Sequence, residues 1–327
     1  MNTWGNHFRI SIFGESHGEG LGVVIDGVRP GLALSAEQLR GDLSRRQSGA
    51  QGTTARREPD EPQIVSGLFR GRTTGAPLTV MFRNVDAQSA DYDKFIDTPR
   101  PGHADFVARC KYHGHNDFRG GGCFSGRLTL PLVAAGAVAK LHIAPVEVRA
   151  RLLAVGGSSE VEQQVVQAQA QADSVGGLVE CVATGLPVGV GGPMFGSVEA
   201  AIASLAFAIP GVRGVEFGAG FAAAAMRGSQ HNDPIVSADG RTSSNHAGGV
   251  VGGISNGNPL IFRVAVKPTP SIAQPQRTLN LRTGRLEDLQ VSGRHDACIA
   301  LRVPVVVEAV AAIALADLML ANRMHDV

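Results

Sequence analysis

Residues 305–321 read VVVEAVAAIALADLMLA, and the placement of this tract decides the fold. By length alone it could cross a bilayer, but Glu308 and Asp317 interrupt it, which argues against a transmembrane span. Pro304 stands immediately before it, where a missing N–H does no harm in the first turn of a helix. The tract is therefore expected to be a long apolar helix that does not span a membrane. Working outward, LIFRVAV at 260–266 has neither glycine nor proline and reads as a mostly buried strand. Ala-rich segments at 130–141 and 198–207 read as helices, as does 161–172 with its Gln-rich exposed face. Ser35 with Gln38 forms a capping box that opens a helix over 36–46. Strands are expected at 8–13, 21–28, 63–69, 78–84, 181–190 and 214–221. The 42 glycines punctuate the whole chain and mark no linker. Glycine-punctuated strands mixed with Ala-rich helices suggest sheets packed on helices.

The chain has 327 residues, 43% hydrophobic but only 5% aromatic, so its core must be built from Ala, Val, Leu and Ile. Length alone suggests roughly two domains, although a larger single domain is compatible with it. A net charge of +1 removes the electrostatic signature of a nucleic-acid or membrane-surface binder. Lysine occurs only at 94, 111, 140 and 267, so arginine supplies 30 minus 4, or 26, of the basic residues. Its planar fork suits carboxylate and phosphate. Four scattered cysteines and an N-terminus without a signal-peptide pattern lead us to expect a cytoplasmic protein.

The chemistry-bearing residues collect in a few polar, glycine-rich stretches. Gly14-Glu15-Ser16-His17-Gly18 matches the form of a nucleophile elbow, but a further strand follows where an elbow needs a helix. A turn exposing Ser16 and His17, able to hold an anion or deliver a proton, is the better reading. In RPGHAD, residues 100–105, His103 lies two residues before an aspartate that could orient it for acid/base work. Gly120-Gly121-Gly122, leading through Ser125 into a helix and flanked by Arg119 and Arg127, is a candidate phosphate cradle. Arg45, Arg46, Arg56, Arg57 and Arg70 form a second basic cluster. SNHAGGVVGGISNG at 244–257 suggests backbone pressed against a flat ligand, and KPTPSI at 267–272 places a lysine beside the hydroxyls of Thr269 and Ser271. The histidines and aspartates match no metal-ligand spacing, so no metal is expected. No G-x-G-x-x-G opens a helix either, which argues against a dinucleotide fold.

GESHG, RREPD (56–60), RPGHAD, KY (111–112) with D-x-R-GGG (117–122), SNHAGG with GGIS (252–255), KPTPSI and GRHD-x-C (293–298) occur in the order seen in chorismate synthases, and the chain resembles that family along nearly its whole length. The resemblance implies one α+β domain over residues 1–327, two antiparallel sheets enclosing helices, assembled as a homotetramer. It implies a lyase that converts 5-enolpyruvylshikimate 3-phosphate to chorismate and phosphate by anti-1,4-elimination. Reduced FMN is the implied cofactor, with NADPH admissible as reductant. His17 then matches the histidine that protonates the leaving phosphate, and His103 the one that keeps the flavin correctly protonated. Asp296 resembles a proton acceptor near the flavin, and Ser16 a hydroxyl beside it. Cys123, Phe124, Ser125, Gly252, Lys267, Pro268, Thr269, Pro270, Ser271 and Arg294 fall at flavin-contacting positions. Arg46 falls at a nicotinamide-binding position, and Arg45 and Arg127 are expected to hold the substrate. The segment Cys123-Phe124-Ser125-Gly126-Arg127-Leu128-Thr129 departs from the usual RSSARET, losing an arginine, a hydroxyl and an acid. This motivates a competing expectation of a flavin-binding chain without catalysis.

Overall fold

The computed structural model describes residues 2–86, 89–291 and 295–323. Its first sheet contains β1 (Thr3–Trp4), β2 (Arg9–Gly14), β3 (Gly20–Asp26), β4 (Gln63–Ser66) and β5 (Leu78–Arg83), in the order β1-β2-β3-β5-β4 with all neighbours antiparallel. Helix α1 (Ala36–Arg46) has the expected cap: Ser35 Oγ accepts from the Gln38 N–H at 3.4 Å and donates to Gln38 Oε1 at 3.3 Å. Helices α2 (Asp105–Lys111) and α3 (Thr129–Ile143) follow. The second sheet is built from β6 (Glu147–Val155), β7 (Gly177–Thr184), β8 (Val212–Phe217) and β9 (Leu260–Val266), also antiparallel, in the order β8-β9-β7-β6. Helix α4 (Val161–Ala170) connects β6 to β7, and α5 (Val198–Ala206) connects β7 to β8. A hairpin, β10 (Gln276–Asn280) and β11 (Arg285–Leu289), precedes the last helix, α6 (Pro304–Arg323).

Residue alternation decides which face each sheet turns inward. On β3 and β5 the paired residues Leu21 and Phe82, Val23 and Val80, Ile25 and Leu78 are all buried. On β7 and β9 the pairs Ala183 and Leu260, Cys181 and Phe262, Val179 and Val264 are likewise buried. Helix α3 lies on the first of these faces, α6 on the second, and the two helices pack on each other. The fold is α+β, with two antiparallel sheets enclosing helices. The α3–α6 crossing is close enough to require a glycine, because a Cβ at Gly136 would stand 2.2 Å from the Ala309 Cβ. Substituting Gly136→Ala is expected to destabilise the fold by about 1–3 kcal/mol through overpacking, measured as a lowered urea midpoint with unchanged slope.

Helix α6 is long and apolar enough to cross a membrane, yet it is buried between α3 and the second sheet. Its two carboxylates serve the interior. Glu308, with no exposed surface, accepts both terminal nitrogens of Arg45 at 2.7 Å, Lys140 Nζ at 2.6 Å and the Ala150 N–H at 2.8 Å. Burial works to raise its pKa, but the hydrogen bonds from Arg45 and Lys140 hold it below the ordinary glutamate value. Asp317 Oδ1 accepts the N–H groups of Asn6, His7 and Phe8 at 2.9, 2.5 and 2.8 Å, fixing the entry to β2.

Several strands differ from expectation, among them the β10–β11 hairpin, which the pattern left unassigned. The strand expected at 181–190 runs instead over Gly177–Thr184, and Glu147–Val155 is a strand that the pattern left unassigned. Gly177 starts the strand, and a Cβ there would stand 2.7 Å from the Ala300 Cβ. In β6 the exposed Glu147, Arg149 and Arg151 on one face alternate with the inward Val148.

Candidate active site

A cleft of about 1100 Å³ opens where the β2–β3 turn, the 47–60 loop, the glycine triplet and the 267–271 segment converge. Eight basic side chains (Arg46, Arg56, Arg57, Arg100, Arg127, Arg213, Lys267, Arg302) line it against three acidic ones (Glu58, Asp60, Asp296). Such a surplus in a low-dielectric wall attracts polyanions. Most of these cations are tied in place by carboxylates. Asp60, 3% exposed, accepts Arg46 Nη2 at 2.7 Å and also Arg127 Nη1. Glu58 accepts Arg56 Nη2 at 2.6 Å, and Arg56 in turn donates to Ser16 Oγ and the Ser16 carbonyl, each at 3.0 Å. The acids of RREPD therefore hold the arginines of the wall, a role not assigned from the motif. Arg46 Nε, Arg127 Nη2 and Arg302 Nε are buried and have no hydrogen-bond partner among the described residues. Burial pushes the Arg46 guanidinium down to about 10, against the pull of Asp60. Buried donors without partners are costly, and an anion in the cleft would supply them.

His103 also lines the cleft. Its Nδ1 lies 2.5 Å from Asp105 Oδ1, the carboxylate anticipated from RPGHAD. That contact is a hydrogen bond when Nδ1 carries the proton, and Arg100 Nη2 lies 3.0 Å from Nδ1 and 3.2 Å from Nε2. Burial lowers the His103 pKa and outweighs the raising effect of Asp105, so the imidazole is neutral near pH 7. The Asp105 carboxyl is itself held well below its usual range: burial opposes ionisation, but hydrogen bonds from Arg100 and His103 prevail. Arg100, which sequence reasoning did not single out, joins this network together. It donates to Asp105 Oδ2 through Nε and to Oδ1 through Nη2, both at 2.8 Å, and to Ser271 Oγ at 3.0 Å, and it lies 4.5 Å from the Phe95 ring centroid. Lys267 Nζ donates to the Gly102 carbonyl at 2.6 Å, and burial, then Arg213, lowers its pKa. The 267–271 segment is thereby fastened to the start of α2.

The glycine triplet separates the two histidines. All three residues have positive φ (59°, 82° and 54°), a region that L side chains enter only with strain. A Cβ on Gly120 would stand 2.6 Å from His17 Nε2, and one on Gly121 would stand 3.3 Å from His103 Nε2. The expected phosphate cradle is thus a spacer packed between two imidazoles. His17, 8% exposed, lies just behind the cleft wall, with Gly120 on one side and the Tyr92 ring on the other at 5.1 Å and 87°. Gly14–Gly18 joins two antiparallel strands, so no nucleophile elbow exists there.

Of the residues expected at the site, Ser16, Arg46, His103, Cys123, Phe124, Ser125, Arg127, Lys267, Thr269, Pro270, Ser271 and Asp296 line the cleft. Asp296 accepts the Thr54 N–H at 3.1 Å and Arg302 Nη2 at 2.8 Å. Burial raises the pKa of the Cys123 thiol, favouring its protonated form. Besides His17, which does not itself line the cleft, three residues are placed elsewhere. Arg45 leaves the cleft for Glu308 and Asp42, because α1 turns successive side chains about 100° apart and gives the cleft to Arg46. Gly252 turns a short hairpin, Val250–Val251 with Ile254–Ser255, away from the cleft lining, and Pro268 packs behind it near Gly176. Arg294 lies outside the described residues. His113 and His115 are exposed beyond the end of α2. Arg302, six residues after Asp296, was not singled out from the sequence; the short helical turn Ile299–Arg302 brings it to that carboxylate.

The chorismate synthase family model matches residues 8–320. The chain is 59% identical to the chorismate synthase of Chitinophaga pinensis over 327 residues, covering 100% of this chain and 98% of that protein. It is 46% identical to the enzyme of Thermococcus kodakarensis, covering 98% of each. A crystal structure of a chorismate synthase superposes with a TM-score of 0.76 at 26% identity, covering 98% of this chain and 93% of the other. The architecture, the converging motifs and these relatives agree: the chain belongs to the chorismate synthase family of enzymes.

Proposed function

We propose that the chain converts 5-enolpyruvylshikimate 3-phosphate to chorismate and phosphate by anti-1,4-elimination, with reduced FMN bound in the same cleft. The carrying observation is the set of buried arginine donors, Arg46 Nε, Arg127 Nη2 and Arg302 Nε, left without partners in a strongly basic cleft. A substrate with two carboxylates and a phosphate matches that donor set. The volume exceeds the usual single-ligand range of about 300–1,000 Å³, in keeping with a cofactor and a substrate together. Ser125, Lys267, Thr269 and Ser271 would hold the flavin, and Phe124, Ile299 and Val303 offer apolar surface for its rings. Reduced flavin, when bound, supplies transient electron density that makes loss of a weakly acidic ring hydrogen feasible without net redox change.

The protein's own groups do the rest. The arginines orient the substrate and stabilise charge developing on the departing phosphate. His17, seated beside Ser16, donates a proton to it. His103, held neutral, keeps the flavin side of the cleft in the right protonation state, and Asp296, oriented by Arg302 and the Thr54 N–H, accepts a proton. Arg46, buried against Asp60, fits this anion pocket better than a nicotinamide site. Residues 1–327 act as one domain, supported by a main core cluster drawn from both sheets. A cytoplasmic homotetramer, independent of nucleic acid and membrane, is the working assembly; exposed Met194, Phe195, Phe221 and Ile235 supply apolar surface for self-association.

The test is anaerobic incubation with the enolpyruvyl substrate and chemically reduced FMN, reading phosphate release. Stoichiometric chorismate and phosphate are expected, and absence of both refutes the proposal. Repeating the assay with NADPH in place of the chemical reductant shows whether the chain reduces its own flavin.

A further inference from the structure

We infer that Tyr92 is a positioning residue whose ring seats the His17 imidazole, and this rests on the role proposed above for His17. The imidazole is confined from two sides. Its Cδ2–Nε2 edge lies against Gly120, where a Cβ would stand 2.5 and 2.6 Å from those atoms, and the Tyr92 ring meets it edge-on at 5.1 Å and 87°. Gly120 cannot retreat, because the triplet is held by its own left-handed backbone and by the hydrogen bond from the Ser16 N–H to the Gly122 carbonyl at 3.2 Å. The tyrosine is anchored as firmly. It belongs to the 3-10 helix Ser89–Ile96, whose Phe95 is 4% exposed and packs with Leu289 and Val291, and the Tyr92 and Phe95 ring centroids lie 5.9 Å apart. Removing the Tyr92 ring therefore takes away one of these two contacts on the imidazole while the glycine wall stays in place. Proton transfer demands hydrogen-bond-range geometry, and a misplacement of about 1 Å can lower a rate by about 100-fold.

The same helix touches the second histidine only indirectly. Arg100 lies 4.5 Å from Phe95 and 5.8 Å from Tyr92, so Phe95 retains Arg100, and through it His103, when Tyr92 is changed. A substitution at Tyr92 should thus act through His17 and spare His103.

The experiment is a double-mutant cycle with Y92L and H17A, with Y92F as the conservative variant. Y92L is expected to lower kcat about 10- to 100-fold with KM and the melting temperature little changed, and Y92F to recover most of the loss. In the H17A background Y92L should cost less than about 2-fold, since effects of residues that act as a unit do not add. An independent readout in the unliganded protein is the His17 imidazole resonance, assigned by its disappearance in H17A, which should shift in Y92L and return in Y92F. An equal Y92L penalty with and without His17, or an unmoved resonance, overturns the inference while leaving the role of His17 intact. Unchanged turnover in H17A overturns the role of His17 and this inference with it. Phosphate release by the unaltered enzyme tests the overall reaction separately.

Discussion

His103→Ala is expected to lower turnover by about 100- to 10,000-fold, the usual weight of a positioned acid/base group, while flavin binding, followed by fluorescence quenching, persists. Flavin contacts come from many backbone and side-chain groups, whereas the proton at this position depends on one imidazole. The geometry makes the residue hard to replace. Asp105 meets Nδ1, Arg100 lies close to both ring nitrogens, and burial keeps it uncharged. Turnover unchanged in H103A would remove His103 from the mechanism. The depressed pKa also has a stability consequence. Because the folded value lies below that of the unfolded chain, the unfolded state takes up the proton first as pH falls through about 6.5, and stability declines there. In H103A this part of the pH dependence should disappear from denaturation midpoints compared between neutral and mildly acidic pH.

Glu308→Ala is expected to produce the largest loss of stability, about 3 kcal/mol, read as a lower denaturant midpoint. Removing one member of a buried ion pair typically costs about 3–5 kcal/mol because the partner charge is left uncompensated. The lower end applies because Asp42 still meets Arg45 and Lys140, at 3.2 and 2.7 Å. The lost carboxylate also leaves the Ala150 N–H of β6 without its acceptor. Since the folded pKa of Glu308 lies below the ordinary value, its contribution is present above that value and fades as pH falls through the folded pKa. The difference between wild type and E308A should therefore shrink in acid. A difference near zero at neutral pH would show that the Arg45–Glu308–Lys140 cluster is energetically idle.

Local patterns carried much of the fold. The Ser35 cap, the Ala-rich stretches and the unbroken LIFRVAV run are short-range signals, so α1, α3, α5 and β9 fall within two residues of expectation. The β6 strand was left unassigned although its charged and apolar residues alternate, and β7 runs over Gly177–Thr184 where 181–190 was expected, its first residue lying close to Ala300. At the site, the motifs identified which residue types gather: His103 with its aspartate, the hydroxyls of 267–271, Ser16 and Arg127. They could not separate Arg45 from Arg46, because that choice depends on which side of α1 faces the Glu308 carboxylate 263 positions away in the chain.

Periodicity, caps and residue type, which act over a few neighbours, make the 305–321 tract helical and mark the polar glycine-rich stretches as carriers of the chemistry. Packing between distant segments matched Glu308 with Arg45 and Lys140 and set a glycine triplet between two histidines. Those outcomes depend on distances between segments remote in the chain, which packing sets and no local pattern encodes.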